Sequence, residues 1–342
     1  KGTYLVSAEL TVTASEMHFV GEGSGMTSIN SNCATCNIFN FNPALASREN
    51  ASIENLAFNA ATTKSAGAAI KVNSWNSMFI NQVRIAAQTK GIELIDSVLI
   101  WVDETRIYNS TASTGYGVII DGGNDQYLNR VFVQGLQGTQ PAAGFYIKKS
   151  GATWLNGVGA LYTGKGLLIA PASGAIVEHL FSTMSAYDSG TSTGILSQPA
   201  EGGTVRRSVF VQDWTATMGE YGVHMGSTGS IEDIRFVGHR SINNNKHGFY
   251  IEGTNSSNIY IADSTIAGNS TTTANTYDGI NSGATNIQIT GNRIGYVAGL
   301  TNTQRYGISI LAGSSNYEIQ GNNLNDNVTG PLSDASSASS RQ

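Results

Sequence analysis

Charge is scarce in this 342-residue chain, with Asp, Glu, Lys and Arg together making up 13% of it. A helix-rich surface needs more, because exposed helix faces are built largely from those residues. Basic residues are the minority, 19 Lys and Arg against 24 Asp and Glu, for a net charge of −5. That balance argues against nucleic acid and anionic membranes as main partners, since both are held by a basic face. No apolar run approaches the roughly 20 residues of a membrane helix, so membrane insertion is not expected. Proline occurs five times and cysteine twice. The two cysteines form a CxxC pair, Cys33 and Cys36. Zinc would need two further ligands, and only His18 is near. A structural role is expected, as packed thiols or as a local disulfide. The chain opens on Lys1 with no signal-peptide pattern behind it, which suggests a fragment or a processed product.

What the chain has in quantity is glycine, 40 residues of it, with many Ser, Thr and Asn. Such a composition suits short strands joined by tight turns. A six-residue unit, apolar at its first and sixth positions, recurs from Ile53–Phe58 to Ile319–Leu324. Its eleven first positions are Ile53, Ile80, Val102, Leu128, Leu155, Val177, Val205, Ile231, Ile261, Ile289 and Ile319, at steps of 22 to 30 residues. A second marker keeps the same period: a glycine followed by apolar residues, as in Gly117-Val118-Ile119-Ile120 and Gly307-Ile308-Ser309-Ile310.

Strands this short cannot bury an apolar face alone, so neighbouring repeats must stack. A left-handed β-helix needs a hexapeptide period, a propeller needs about 40 residues per blade, and the leucine-rich signature is missing. The reading that survives is all-β: a right-handed, single-stranded parallel β-helix (a solenoid) of about eleven coils. Residues 1–50 are read as an atypical N-terminal cap and first coils, 51–325 as the helix, and 326–342 as a flexible C-terminal tail or linker. Gly268-Asn269, Gly291-Asn292 and Gly321-Asn322 suit left-handed backbone and stacked amide ladders.

The opening Lys1-Gly2-Thr3-Tyr4-Leu5-Val6-Ser7, with Phe19-Val20-Gly21-Glu22-Gly23-Ser24-Gly25-Met26-Thr27, resembles the first coils of the pectate-lyase-like β-helix superfamily, common in bacteriophage tailspikes. The resemblance implies a homotrimeric protein of the virion tail, extracellular, that binds and often cleaves bacterial surface polysaccharide. No catalytic motif transfers residue by residue, so candidate sites rest on stacking geometry.

In such a stack, equivalent positions of successive coils form rows along the axis, about 4.8 Å apart. Glu178, Arg206 and Glu232 form one row, and His179, Arg207 and Asp233 the next; both read as compensated ion ladders. Glu104 with Arg130, and Asp121 with Lys148, read the same way. The densest mixture of carboxylate, aromatic and imidazole comprises Tyr187, Asp188, Asp213, Trp214, Glu220, Tyr221, His224, His239 and Arg240. Glycosidic hydrolysis usually needs two carboxyl groups, roughly 6.5–9.5 Å apart for inversion. Asp213 with Asp188 or Glu220 is the expected pair, and His239 the remaining catalytic candidate. Trp214, Tyr187, Tyr221, His224 and Arg240 are expected to bind substrate. The competing view is that the carboxylates are hydrated turn residues. His247 shares a row with Tyr221, Asp278 and Tyr306 and reads as a stacking residue. Trp75, Trp101 and Trp154 each read either as a sugar platform or as partly buried filler.

The expected function is endo-hydrolysis of capsule or O-antigen, without metal or cofactor. Two alternatives stand beside it: a polysaccharide lyase, which uses His, Tyr, Lys or Arg as base near a uronate, and a non-catalytic glycan-binding adhesin.

Overall fold

The computed structural model describes residues 1–43, 48–108 and 114–336. Every regular element among them is a β-strand, and the chain forms a parallel β-solenoid of about twelve turns. It divides into two compact units, residues 1–164 and 165–342.

In the first unit coils begin at once. Gly2–Val6 pairs in parallel with Thr27–Ser31, which pairs with Ala57–Ala60. Leu10–Val12 likewise lies on Phe39–Phe41. The opening residues therefore stack without carrying the apolar hexad, and their core is aromatic: Phe39, Phe41, Phe58 and Trp75 are buried in mutual edge and stacked contacts. Cys33 and Cys36 are joined as a disulfide, and the buried Lys64 ammonium donates to both their carbonyls at 2.8 and 2.6 Å. Farther on, Lys90–Asp103 and Tyr116–Asn129 pair along nearly their whole length. With Trp75–Asn81 before them and Thr153–Asn156 after, they carry a column of rings in register: Phe79, Trp101, Tyr127 and Trp154. Centroids lie 4.6, 5.6 and 4.5 Å apart and planes within 12° of parallel. Trp101 has Phe79 on one face and Tyr127 on the other, so it presents an edge, not a platform, to solvent, and Trp154 has one face on Tyr127. Trp75 is core.

In the second unit each coil carries three strands, for example Thr204–Val211, Trp214–Ala216 and Val223–Met225, each paired with its counterpart on the next coil. Single left-handed residues bend the chain between straight stretches. One column of them runs His179, Arg207, Asp233, Asn258, Asn286 and Asn316, all with φ between 50° and 55°. A second runs Met184, Gln212, Gly238, Asp263, Gly291 and Gly321, with φ between 50° and 66°. Left-handed backbone costs an ordinary residue roughly 1–2 kcal/mol, and Gly, Asn and Asp pay least. That is why the corners are rich in these three.

The recurring glycine has a different cause. A Cβ on Gly194 would stand 2.6 Å from the carbonyl oxygen of Gly222, on Gly222 2.6 Å from that of Gly248, on Gly248 2.7 Å from that of Gly279, and on Gly279 2.7 Å from that of Gly307. Each glycine thus lies directly against the backbone of the next. Asparagine amides lock the adjoining corners: Asn244 Nδ2 donates to Asn269 Oδ1 at 2.8 Å, Asn269 Nδ2 to Gln304 Oε1 at 2.8 Å, and Asn292 Nδ2 to Asn322 Oδ1 at 2.9 Å. Three of the ion pairs expected from the rows form, Arg206–Glu178 at 2.9 Å, Arg130–Glu104 at 3.1 Å and Lys148–Asp121. The ladder of His179, Arg207 and Asp233 does not: Arg207 reaches across to Glu178 at 3.3 Å, and Asp233 lies 3.7 Å from Arg235 of its own strand.

One register and one boundary need correction. The hexad reading slips register within the second unit: Ile231 pairs with Ser256, while Ile261 lies on Phe236. Coils here carry two inward apolar residues five apart, such as Val205 with Phe210 and Ile231 with Phe236, all buried. The expected tail from residue 326 also begins too early, because Gly330–Asp334 pairs with Tyr306–Ile310. Its residues 337–342 lie outside those described.

Gly248→Ala is expected to cost at least about 2 kcal/mol, since both backbone and the Ile266 methyl, 2.5 Å from the new Cβ, would have to move. Urea midpoints of the two proteins check this, with Thr272→Ala, at an exposed loop position, as the neutral control.

Candidate functional site

The predicted cluster is divided by the coil into an interior part and two separate surfaces. Asp213, His239 and Tyr187 are each 0% exposed. They occupy inward positions of the coil, so the expectation that Asp213 and His239 act on a polymer, or that Tyr187 binds it, is corrected. Asp213 Oδ1 accepts the Ser185 N–H at 2.8 Å, and His239 Nε2 lies 3.1 Å from the Thr215 hydroxyl. Burial pushes the Asp213 carboxyl up to about 7, against the lowering effect of the Ser182 hydroxyl and the Ser185 N–H. Burial pushes His239 down to about 3, so its ring is neutral.

Asp188 and Trp214 sit on one strand column, Ala186–Asp188 beside Trp214–Ala216 beside Arg240–Ile242. Trp214 is 40% exposed and Arg240 follows it in register. Asp188 accepts hydrogen bonds from the Thr217 and Ser189 hydroxyls. It cannot form the expected pair with Asp213, whose carboxyl points into the coil.

Glu220, Tyr221 and His224 belong to a different column, and there the structure assembles more than the sequence reading offered. Relative to the glycine row, the residues two before it are Glu220, Lys246, Tyr277 and Arg305; those one before are Tyr221, His247, Asp278 and Tyr306. The residues two after it align as His224, Tyr250, Asn281 and Ser309. Tyr221 packs against His224, Tyr250 and His247 at centroid distances of 4.8, 5.1 and 6.0 Å. Tyr250 in turn stacks on His224 at 5.1 Å and on His247 at 5.2 Å. The result is a half-buried sheet of phenol and imidazole rings.

Charges frame these rings. Lys246 Nζ stands 5.0 Å from the Tyr221 ring centroid and 2.8 Å from Glu220 Oε1, while the Ser192 hydroxyl donates to Glu220 Oε2 at 2.6 Å. Burial raises the Glu220 pKa, but Lys246 and Ser192 outweigh it and the carboxyl is held below its usual range. Glu220 is therefore ionised and unsuited to act as an acid, which removes it from the expected hydrolytic pair. Arg305 makes two bonds to the fully buried Asp278, at 2.9 and 2.8 Å. His247 Nδ1 accepts the Asp278 N–H at 2.8 Å, which puts its proton on Nε2, and burial pushes its pKa down to about 4.

His224 differs from its neighbours. Its Nε2 lies 2.7 Å from Glu252 Oε1. Burial lowers its pKa and Glu252 opposes that shift. A neutral ring that donates from Nε2 to Glu252 keeps the Nδ1 lone pair available, with a carboxylate placed to stabilise the imidazolium that protonation would form. The phenols of Tyr221 and Tyr250 have pKa values raised by burial, so they are protonated at neutral pH. The set can therefore accept a proton at one atom and supply one at another.

No protein-family model matches the sequence, and no curated protein matches it. Solved structures do. The A-module of the Azotobacter vinelandii mannuronan C-5 epimerase AlgE6 superposes with a TM-score of 0.58 at 14% identity, covering 98% of this chain and 89% of that one. The Dettilon tailspike protein gives 0.59 at 13%, covering 97% of this chain and 61% of the tailspike. The Streptococcus pneumoniae surface protein and adhesin PfbA gives 0.52 at 12%, covering 98% and 90%. All are right-handed parallel β-helix proteins. So is this chain. At such identities the likeness establishes the β-helix and nothing of its chemistry.

Sequence reasoning missed Lys246, Tyr250, Glu252, Tyr277 and Arg305. The signal was present: counting from Gly222, Gly248, Gly279 and Gly307 places Lys246, Tyr277 and Arg305 in the row of Glu220 and Tyr250 in the row of His224, with Glu252 two residues beyond Tyr250.

The buried Asp213 carries a pH prediction. Its folded pKa is raised, so its contribution to stability is complete below about pH 4 and is lost as pH rises through about 7. Between pH 4 and 8 the parent chain should lose about 2–4 kcal/mol relative to Asp213→Asn, which has no such titration. Urea titrations at both pH values decide it; parallel pH profiles would refute the assignment.

Proposed function

We infer that the protein binds a bacterial surface polysaccharide along the ring-lined face of the β-helix and cleaves it by β-elimination at a uronate. The observation that carries this is His224, neutral, bonded to Glu252 and packed against both Tyr221 and Tyr250. In that reaction His224 Nδ1 takes the proton from the carbon next to the sugar carboxyl. The C–O bond to the neighbouring sugar breaks, and the phenol of Tyr221 or Tyr250 protonates the leaving oxygen. Lys246 supplies positive charge beside Tyr221. Trp214 and Arg240, on their own column, offer an apolar face and a cation as an accessory contact for the same polymer.

This reading replaces hydrolysis as the preferred chemistry, because the expected carboxylate pair is divided between the interior and an ion pair. The likeness to an epimerase named for mannuronan supports a uronate substrate, since abstraction of the same kind of proton begins both reactions. The likeness to tailspikes supports a place on a virion tail, and an adhesin among the neighbours supports binding without cleavage as the second reading; the homotrimer rests on the resemblance of the opening residues alone.

The test uses uronate-containing polysaccharides, alginate and bacterial capsules among them. Shorter products that absorb through a new conjugated double bond are expected. His224→Gln should lower the rate by about 10²-fold or more with binding retained. New reducing ends without that absorbance would indicate hydrolysis, and binding with no change in polymer size would indicate an adhesin.

A further inference from the structure

A second surface of the residue 165–342 unit has the properties of a binding site and belongs to none of the chemistry above. On the outward face of Ser230–Val237, Ser256–Ala262, Thr285–Thr290 and Glu318–Gln320 lies a groove of about 480 Å³. One side is the register row Arg235, Tyr260, Gln288 and Glu318. The other is formed by the left-handed corner column, where Asn258 and Asn286 are joined by a 3.3 Å amide bond and Asn316 follows. Inward residues such as Ile259 lie between the two.

Three observations set this groove apart. On other rows of the unit several charged side chains are consumed by one another, as with Lys246 and Glu220, Arg305 and Asp278, or Arg206 and Glu178. Here the side chains of Tyr260, Gln288, Asn316 and Glu318 make no hydrogen bond among the described residues, so their donors and acceptors remain available. The groups recur at the coil spacing of about 4.8 Å, close to the advance of one pyranose ring along an extended glycan. Tyr260 adds a ring at which the apolar side of a sugar can rest, flanked by an amide and a guanidinium.

Charge narrows the ligand. Arg235 has Asp233 at 3.7 Å, and Glu318 adds an unpaired carboxylate, so the groove offers no net attraction to an anion. Asp233 and Glu318 are three coils apart, roughly 14 Å, beyond the separation at which two carboxyl groups hydrolyse a glycosidic bond. The geometry points to a non-catalytic subsite for a neutral, hydroxyl-rich oligosaccharide of about four rings, lying parallel to the axis with its rings over Arg235, Tyr260, Gln288 and Glu318. The inference is independent of the elimination chemistry at His224, because the two sites share no residue.

The test titrates the folded chain with neutral tetra- to hexasaccharides (β-linked glucose and N-acetylglucosamine series) and, separately, with oligouronates. Affinity is read by calorimetry and ring contacts by saturation-transfer NMR. The neutral series should bind, and Tyr260→Ala should weaken that binding about tenfold or more. Gln288→Arg, an exposed substitution that fills the groove without touching the core, should do the same. His224→Gln should leave it unchanged. Absence of binding by the parent chain, a preference of the groove for oligouronates, or unchanged affinity in both groove variants would overturn the proposal. Loss of elimination at His224 with neutral-glycan binding intact would remove only the reading of the other site.

Discussion

Backbone lying on backbone is the constraint from which the rest follows. Parallel strands on successive coils leave so little space that the glycine column admits no side chain: each Cα faces the next glycine's carbonyl oxygen at van der Waals distance or less once a Cβ is added. That closeness fixes the register of the neighbouring positions, which is why Tyr221, His247, Asp278 and Tyr306 line up as a row and why rings on Tyr221, His224 and Tyr250 meet at about 5 Å. A coil that slipped by one residue would turn these side chains inward and the apolar ones outward.

The same constraint makes the coil interior more polar than a globular core of this size. Ser182, Ser185, Asp213, Thr215 and His239 are all buried on consecutive coils. Most of their polar atoms find partners on the same coil or the next, as the Ser185 hydroxyl does with the Thr183 carbonyl and Asp213 Oδ1 with the Ser185 N–H, while Asp213 Oδ2 and His239 Nδ1 have none among the described residues. Burial of such groups is tolerable only when they are hydrogen-bonded, and stacking at fixed register supplies the bonds. Polar character in this chain is therefore a poor guide to exposure.

That explains what could be read in advance. The period, the strand-only architecture, the glycine marker, the amide ladders and the ion pairs of Arg206, Arg130 and Lys148 were legible, because each repeats and repetition is visible in one sequence. The register of Ile231 against Ile261 was not, since Ile231 and Phe236 are two inward apolar positions five residues apart and either satisfies the same template. Asp213, His239 and Tyr187 were read as surface chemistry for the same reason: carboxylate, imidazole and phenol were taken to mean solvent contact, where stacking had turned them inward. The ring-lined face was half legible. Tyr221 and His224 were found, but Tyr250, Lys246 and Arg305 required the glycines, rather than the hexads, as the ruler.

The column of Phe79, Trp101, Tyr127 and Trp154 has an optical consequence. Stacked indoles and phenols in near-parallel planes couple their electronic transitions, and Tyr127 lies between two acceptors of its excitation energy. Three of the four tryptophans, Trp75, Trp101 and Trp154, belong to the first unit, and Trp214 alone to the second. The near-ultraviolet dichroism of the protein is thus dominated by one half of the chain, which gives a built-in signal for the melting of residues 1–164 apart from the remainder.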